Sequence, residues 1–155
     1  MLKGLCYSET LVLEHKDTAA VYGSGALEVF ATPAMIALMV KTCLEGVNSK
    51  IGEGNTTVGI AVNIKHLKAS PVGAAIRCDA KLTEVDRKRL VFEVKCFEGE
   101  TLIGEGIHER FVVDCETFMA KIGVTPSGLK LGRRFVGKKK SDRKVALKVF
   151  KWSWN

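Results

Sequence analysis

A chain of 155 residues with 46% hydrophobic content is long and apolar enough to bury one core as a single domain. Its five cysteines are scattered and form no Cys-x-x-Cys pair, which excludes the common zinc and redox motifs. We expect reduced thiols that pack in the core. No run approaches the ~20 apolar residues of a membrane span, and the N-terminus lacks a signal peptide, so we predict a cytoplasmic protein without a membrane partner.

The net charge of +7 comes from the C-terminal end of the chain. Residues 123–155 hold ten of the 24 lysines and arginines and a single acid, while residues 1–122 hold 14 basic and 16 acidic residues. We therefore predict a domain at 1–122, followed by a basic extension at 123–155 that we expect to be poorly ordered. The extension could bind an anionic partner, but a solvated terminus explains it more simply, and we expect no nucleic-acid partner.

The first predicted elements are a strand near residues 5–13 and a long helix over residues 34–47. Thr32 is a suitable N-cap, Pro33 suits the first helical position, and Gly46 with Asn48 offers a stop. The apolar positions of the helix cover too wide an arc for a surface helix, which predicts a nearly buried one. These positions are Met35, Ile36, Leu38, Met39, Val40, Cys43, Leu44 and Val47.

Alternating apolar and polar residues predict four further strands, and a short closing helix follows at 116–122. The strands cover residues 57–64, 76–83, 90–96 and 102–113. Turn signals at 70–73, 86–89 and 98–100 leave connections too short for crossover helices, so the sheet must be largely antiparallel. The sheet can bury the long helix only by curling around it, which predicts an α+β fold with a central helix.

Two residues have side chains suited to catalysis. Thr32 lies at a helix N-terminus, where unpaired N–H groups and the positive dipole end can bind a developing oxyanion. His66 ends the predicted strand that contains Gly59, and its imidazole could transfer protons near neutral pH. Taken alone, a threonine that only caps the helix and a structural histidine at a strand end are the simpler interpretations.

A second group of polar residues lies on the last strand. His108 and Arg110 have the same strand parity and face one side of the sheet, while Glu109 faces the other. Gly104 and Gly106 are expected to leave space beside them. A cross-strand ion-pair network is the simpler alternative to a functional role.

Several motifs, in order and at matching spacing, resemble the fluoroacetyl-CoA thioesterase-like family of hotdog-fold proteins over about residues 5–121. They are Val29-Phe30-Ala31-Thr32-Pro33-Ala34-Met35 with Leu38-Met39, Thr56-Thr57-Val58-Gly59, Val62 to His66, Ala69-Ser70-Pro71-Val72-Gly73, and Gly106-Ile107-His108-Glu109-Arg110. The resemblance implies a hotdog fold in which the sheet wraps the central helix.

The resemblance also implies hydrolysis of an acyl-CoA thioester in a homodimer or dimer of dimers, with coenzyme A as part of the substrate and with no cofactor or metal. Thr32 and His66 match the catalytic threonine and histidine of the family. The implied substrate-binding residues are Gly59, Pro33 and Ala34, and the implied supporting residues are Arg110 and His108.

One position departs from the family pattern. The catalytic acid of the family lies eight residues after the threonine, and Val40 occupies that position here. Glu45 lies about 140° around the helix from it and cannot simply replace it. Hydrolysis weakened by Val40 and a non-hydrolytic acyl-CoA binding or sensing module therefore both remain open.

The entrance segment at residues 22–27 lacks the phenylalanines that resemble a lid in fluoroacetyl-CoA-selective members, so we do not expect fluoroacetyl selectivity. Glycines on both sides of Ser24 favour an open or mobile entrance that admits another short or medium acyl group.

Overall fold

The computed structural model describes residues 3–124, which form five strands, three helices and a short 3₁₀ turn. The elements in chain order are β1 (Cys6–Val12), the 3₁₀ turn (His15–Asp17), α1 (Ala19–Tyr22), α2 (Thr32–Asn48), β2 (Asn55–His66), β3 (Ala75–Asp86), β4 (Arg89–Glu98), β5 (Thr101–Asp114) and α3 (Cys115–Lys121). The predicted basic extension lies outside the described residues from position 125 onward. No helix within residues 3–124 is long and apolar enough to cross a membrane.

The strands form one antiparallel sheet in the order β1-β3-β4-β5-β2. Helix α2 lies against one face of this sheet, where it contacts β1 and β3 most and also reaches β2 and β4. The prediction of an antiparallel sheet around a central helix is therefore confirmed. Strands β1 and β2 are the two edges of the sheet.

Alternation along the central strands places their apolar side chains under α2. The buried residues of β3 and β4 are Ile76, Cys78, Ala80, Leu82, Leu90, Phe92, Val94 and Cys96. Cys78 and Cys96 are direct cross-strand partners, and Cys43 on α2 is also buried. All five cysteines are free thiols, but Cys6 is exposed and Cys115 is half-buried, so only three pack in the core as expected.

Helix α2 begins at Thr32, one residue before Pro33, the predicted first helical position. The carbonyl of Ala31 accepts the first helical hydrogen bond, from the amide of Met35 at 2.9 Å, so Ala31 is the N-cap and Thr32 is the first helical residue. Gly46 does not end the helix but lies within it. A Cβ there would come within 2.9 Å of the Tyr7 Cβ, so glycine allows β1 to approach the helix closely.

The segment between β1 and α2 contains structure that the hydrophobic pattern did not predict. Thr18 caps α1, and its side chain accepts a hydrogen bond from the amide of Val21 at 3.4 Å. Isolated antiparallel bridges pair Thr18 with Phe30 and Val29 with Pro71. These bridges hold the segment before α2 beside the loop that follows β2.

The expectation of open space beside Gly104 and Gly106 was wrong. A Cβ on Gly104 would lie 2.7 Å from the Met35 Cε, and the Met35 sulfur would be closer still. A Cβ on Gly106 would collide with the β2 backbone at Asn63 and Ile64. The absent side chains therefore allow the thioether of α2 and the backbone of β2 to pack directly on β5.

Candidate active site

The first residue of α2 and the last residue of β2 meet through their side chains. The Oγ1 atom of Thr32 lies 2.8 Å from the Nδ1 atom of His66. Because Thr32 is not the N-cap, its hydroxyl is free to point to the histidine rather than to the amides of the helix. The structure thus brings together the two residues that the sequence singled out for catalysis.

A cavity of about 270 Å³ surrounds this pair. Its walls come from the segment before α2 and from the loop after β2. The lining residues are Ala19, Ser24, Val29, Phe30, Thr32, His66, Leu67, Lys68 and Ala69. Most of the wall is apolar, with Thr32, His66, Ser24 and Lys68 as its polar side chains, which suits an acyl group held beside a reactive centre.

The N-terminus of α2 contributes hydrogen-bond donors beside Thr32. Pro33 has no N–H, and the amide of Met35 is already used within the helix. The amides of Thr32 and Ala34 are therefore the donors of the first turn that the helix leaves available. They lie at the positive end of the helix dipole, where negative charge on a substrate oxygen is stabilised.

The surroundings of the His66 imidazole favour its neutral form. Partial burial lowers its pKa below the usual value, and the backbone of Lys68, whose carbonyl can accept from an imidazolium, acts in the opposite direction. The ring of Phe30 meets it edge to face with 6.0 Å between the ring centroids. Its Nε2 atom is buried and has no hydrogen-bond partner within the described chain.

A second polar cluster lies on the inner face of β2 and β5. The guanidinium of Arg110 donates from Nε to the Thr57 hydroxyl and from Nη2 to the Thr57 carbonyl, both at 2.7 Å. Its Nη1 atom lies 3.2 Å from the Nε2 atom of His108, whose Nδ1 atom lies 2.8 Å from the Ala61 carbonyl. Since a carbonyl only accepts, His108 carries its proton on Nδ1 and accepts from Arg110 through Nε2.

Burial controls the charges of this cluster. It lowers the pKa of His108 to about 4 and that of Arg110 to about 10. Within residues 3–124 no carboxylate forms an ion pair or hydrogen bond with Arg110, His108 or His66. Glu109 faces the opposite side of the sheet, as predicted, and pairs there with Arg89 at 2.8 Å. The ion-pair network therefore involves Glu109 and not its two neighbours.

The position of the expected acid is apolar and enclosed. Val40 is 2% exposed on α2. Glu45 is exposed on the same helix and faces β1. There the negative charges of Glu9 and, more weakly, of Glu45 raise the pKa of the Tyr7 hydroxyl. Strand β1 is the sheet edge opposite β2, so Glu45 does not serve the site at His66.

The side chains of the remaining predicted residues do not line the cavity. Pro33 and Ala34 follow Thr32 on α2 but do not line it. Gly59 lies beside the second cluster, where a Cβ would be 3.2 Å from the His108 Cε1 and 3.5 Å from the Arg110 Nη1. Seven residues of strand, about 23 Å at ~3.3 Å per residue, separate it from His66.

The sequence placed Ser24 at the entrance of the site, but it did not predict the walls that Ala19 and Val29 supply. Ala19, Ser24 and Val29 line the cavity because α1 and the bridges at Thr18 and Val29 turn this segment toward the loop after β2. Thr18, which caps α1, was the sequence feature from which this short helix could have been predicted. The described residues contain no group of three or more His, Cys, Asp or Glu side chains that could hold a metal ion.

Comparisons with known proteins agree with the sequence motifs. Residues 13–116 match the profile of a family described as fluoroacetyl-CoA-specific thioesterase, FlK. The fluoroacetyl-CoA thioesterase of Streptantibioticus cattleyicolor is 36% identical over 102 residues, which are 65% of this chain and 73% of that protein.

Solved structures agree as well. Fluoroacetyl-CoA thioesterase FlK superposes with a TM-score of 0.73 at 30% identity, over 79% of this chain and 95% of that one. A hot-dog-like protein from Thermanaerovibrio acidaminovorans superposes with a TM-score of 0.72 over 77% of this chain and 89% of that one, but at 22% identity. The latter similarity concerns the fold alone, and together these matches confirm the predicted hotdog fold.

Proposed function

Because the chain belongs to the fluoroacetyl-CoA-specific thioesterase family, we propose that it hydrolyses a short or medium acyl-CoA thioester at Thr32 and His66. The observation that carries this proposal is the 2.8 Å contact between the Thr32 hydroxyl and the His66 imidazole in the wall of an apolar cavity. Membership of the family makes the chain a thioester hydrolase, and the geometry supports Thr32 and His66 as the reacting groups.

In this mechanism neutral His66 acts as the general base. Its Nδ1 atom accepts a proton from the Thr32 hydroxyl or from a water molecule hydrogen-bonded there, and the resulting oxygen nucleophile attacks the thioester carbonyl. The amides of Thr32 and Ala34 stabilise the oxyanion. The C–S bond then breaks, and the imidazolium returns its proton to the departing coenzyme A thiolate. If Thr32 is the nucleophile, water hydrolyses the acyl-threonine in a second step.

The acyl group is proposed from the cavity and its entrance. The relative from Streptantibioticus cattleyicolor is named for fluoroacetyl-CoA, but residues 22–27 here offer no phenylalanine to close over so small a group. Gly23, at a left-handed φ of 77°, ends α1 next to the cavity residue Ser24. An entrance of this kind supports short or medium acyl groups without fluoroacetyl selectivity, and the mechanism needs no cofactor or metal.

A homodimer is proposed from the free edge of β2. Within residues 3–124 this edge strand of 12 residues has one partner, β5, and it exposes Ile60 (47%) beside the irregularity between Gly59 and Ala61. Antiparallel pairing of two β2 edges about a twofold axis would satisfy the free backbone groups. An axis midway between Gly59 and His66 would bring Gly59 of one protomer beside His66 of the other, which supports a substrate-binding role for Gly59.

Turnover of a panel of acyl-CoA thioesters tests this function. Purified protein is assayed with acetyl-, fluoroacetyl-, butyryl-, hexanoyl- and decanoyl-CoA, and released coenzyme A is measured with a thiol reagent. We expect release that favours the short and medium chains, does not select fluoroacetyl-CoA over acetyl-CoA, and disappears in His66→Ala. Release that is unchanged in that variant would refute the assignment, and light scattering of the same sample tests the dimer.

The second candidate is a cytoplasmic module that binds or senses acyl-CoA without hydrolysing it. The absence of any carboxylate bonded to His66 in the described chain favours it, because a site without its acid can still bind substrate. Calorimetric binding of acyl-CoA with no thiol release from any substrate would replace the enzyme with this module. Since the positive charge lies in residues 123–155, nucleic acid is not among the proposed partners.

A further inference from the structure

The wall of the cavity divides into exposed and buried residues. The exposed residues, which form its open rim, are Ser24, Thr32, Leu67, Lys68 and Ala69. Among the others, Ala19 is 9% and Phe30 is 2% exposed, while Val29 and His66 are half-buried. Because an acyl group enters from solvent across the rim, Ala19 and Phe30 close the inner end, which we call the floor of the cavity.

Phe30 is the larger of the two floor residues, and its ring lies beside the reacting pair. The centroid of the ring is 6.0 Å from that of the His66 imidazole, and the two ring planes meet at 80°. On its other sides Phe30 belongs to the hydrophobic core. Since the imidazole contacts the Thr32 hydroxyl at 2.8 Å, the floor begins close to the place where the proposed mechanism attacks the thioester carbonyl.

The backbone of Phe30 is held on two sides. Its amide donates to the Ser70 carbonyl at 2.9 Å, and the residue pairs with Thr18 in an isolated antiparallel bridge. The next amide, that of Ala31, donates to the Asp17 carbonyl at 2.9 Å. A ring that is buried in a close-packed core on a backbone fixed in this way cannot swing aside when substrate enters.

We propose that Phe30 is a specificity-determining residue whose ring limits the length of the acyl group. The inference rests on the proposed function, because it takes this cavity as the site of the acyl group. A short acyl group ends before the ring, whereas a long one meets it. One methylene group accepted or rejected by an apolar pocket changes selectivity roughly tenfold or more, so the loss of the ring should alter the chain-length preference measurably.

Substitution of Phe30 tests this limit with the acyl-CoA panel. Phe30→Ala leaves a cavity in place of the ring, because the surrounding structure relaxes only in part, and a longer acyl chain can fill it. We expect the ratio of kcat/KM for decanoyl-CoA to that for butyryl-CoA to rise about tenfold in this variant. Phe30→Leu removes fewer atoms and costs less stability, and it should raise the ratio about threefold.

Phe92→Leu is the matched control for the loss of a buried ring. Phe92 is also 2% exposed, but it lies on β4 and does not line the cavity. This variant should lower the Tm about as much as Phe30→Leu and leave the ratio unchanged. Thermal melts show which variants are folded, and Phe30→Leu decides if Phe30→Ala is not. An unchanged ratio in the folded Phe30 variants, or the same rise in Phe92→Leu, overturns the proposal.

Calorimetry distinguishes a failure of this proposal from a failure of the proposed function. Coenzyme A that carries a butyl or a decyl chain through a thioether has no carbonyl and binds without hydrolysis. Phe30→Leu should tighten the binding of decyl-CoA relative to butyl-CoA about threefold, whether or not the protein turns over substrate. This shift without any turnover in the unmodified protein would refute hydrolysis and retain the role of Phe30. Turnover without the shift would retain hydrolysis and refute the role of Phe30.

Discussion

Thr32 and His66 are 34 residues apart in the chain, yet their Oγ1 and Nδ1 atoms lie 2.8 Å from each other. The contact depends on where α2 begins. Because Ala31 is the N-cap, Thr32 lies in the first turn of the helix, and its hydroxyl does not cap the helix. Strand β2 runs on to His66, whose cross-strand partner is Gly104. The thioether of Met35 lies on that glycine and so anchors α2 at the same end of β2.

The hydroxyl of Thr32 is expected to be essential for turnover. Thr32→Val keeps the shape of the side chain but removes the donor to His66, so kcat should fall by about 10²-fold or more, while Thr32→Ser should retain much of the activity. Steady-state kinetics on acyl-CoA check this, with Thr10→Val on the exposed face of β1 as the control. Equal activity of the valine and serine variants would contradict the role.

The pH dependence of turnover should report His66. Burial lowers its pKa below 6.5, so the neutral base already predominates at neutral pH. We expect kcat to rise with pH along an acid limb whose midpoint lies below 6.5 and then to reach a plateau. His66→Gln should lose ~10²-fold or more, whereas His15→Gln, which alters an exposed histidine paired with Glu28, should keep the profile. A midpoint above 6.5 would be inconsistent with this base.

An acid at position 40 should be tolerated and should increase catalysis. The charge of Arg110 acts on Cys43, which lies one helical turn after Val40, and Arg110 has no carboxylate partner within residues 3–124. We therefore expect the Tm of Val40→Glu to stay near that of the unmodified protein. Because this variant restores the acid of the family pattern, we also expect it to raise kcat about tenfold. Val40→Gln, which buries an amide without the charge, should cost ~1–3 kcal/mol of stability and give no gain.

Kinetics and thermal melts at neutral pH compare the two variants at position 40. If the glutamate variant is as unstable and as slow as the glutamine variant, Arg110 does not accept the carboxylate. A gain in kcat together with retained acyl-CoA binding would also identify Val40 as the cause of weak hydrolysis.

The free energy of unfolding should fall in mild acid because of His108. Its pKa is about 4 when folded and near 6.5 when unfolded, so the unfolded state binds more protons between these values. Stability should be complete above pH 6.5 and should decline as the pH falls toward 4, by about 3 kcal/mol in all. Protonated His108 could no longer accept from Arg110, and two cations would face each other at 3.2 Å.

Urea unfolding at pH 7, 5.5 and 4.5 measures this decline. His108→Gln cannot titrate in the window, so its stability should vary less with pH than that of the unmodified protein, even if its value at pH 7 is lower. His15→Gln is the control, because His15 is exposed. The same pH slope in the His108 and His15 variants would contradict the assignment.

Most of the fold could be predicted because its signals are local. The apolar positions of α2 repeat with a helical period, and those of β3 and β4 alternate, so each element could be assigned from its own residues. Short connections then required an antiparallel sheet. The 3₁₀ turn and α1 were missed because elements of three and four residues are too short to show a period.

The sequence by itself determined the candidate side chains. The motifs around Thr32, His66 and Arg110 identified the family, and the absence of an acid at Val40 could be read directly from the residues. These conclusions depend on residue type and spacing, which the chain carries before it folds.

Only the tertiary structure decided which of these side chains meet. It joined Thr32 to His66, separated Gly59 and Arg110 from them by seven residues of β2, and filled the expected space at Gly104 with Met35. It also left His66 Nε2 and Ser70 Oγ buried without partners. Contacts of this kind depend on how α2 and the loop after β2 pack on the sheet, and no short-range pattern records that packing.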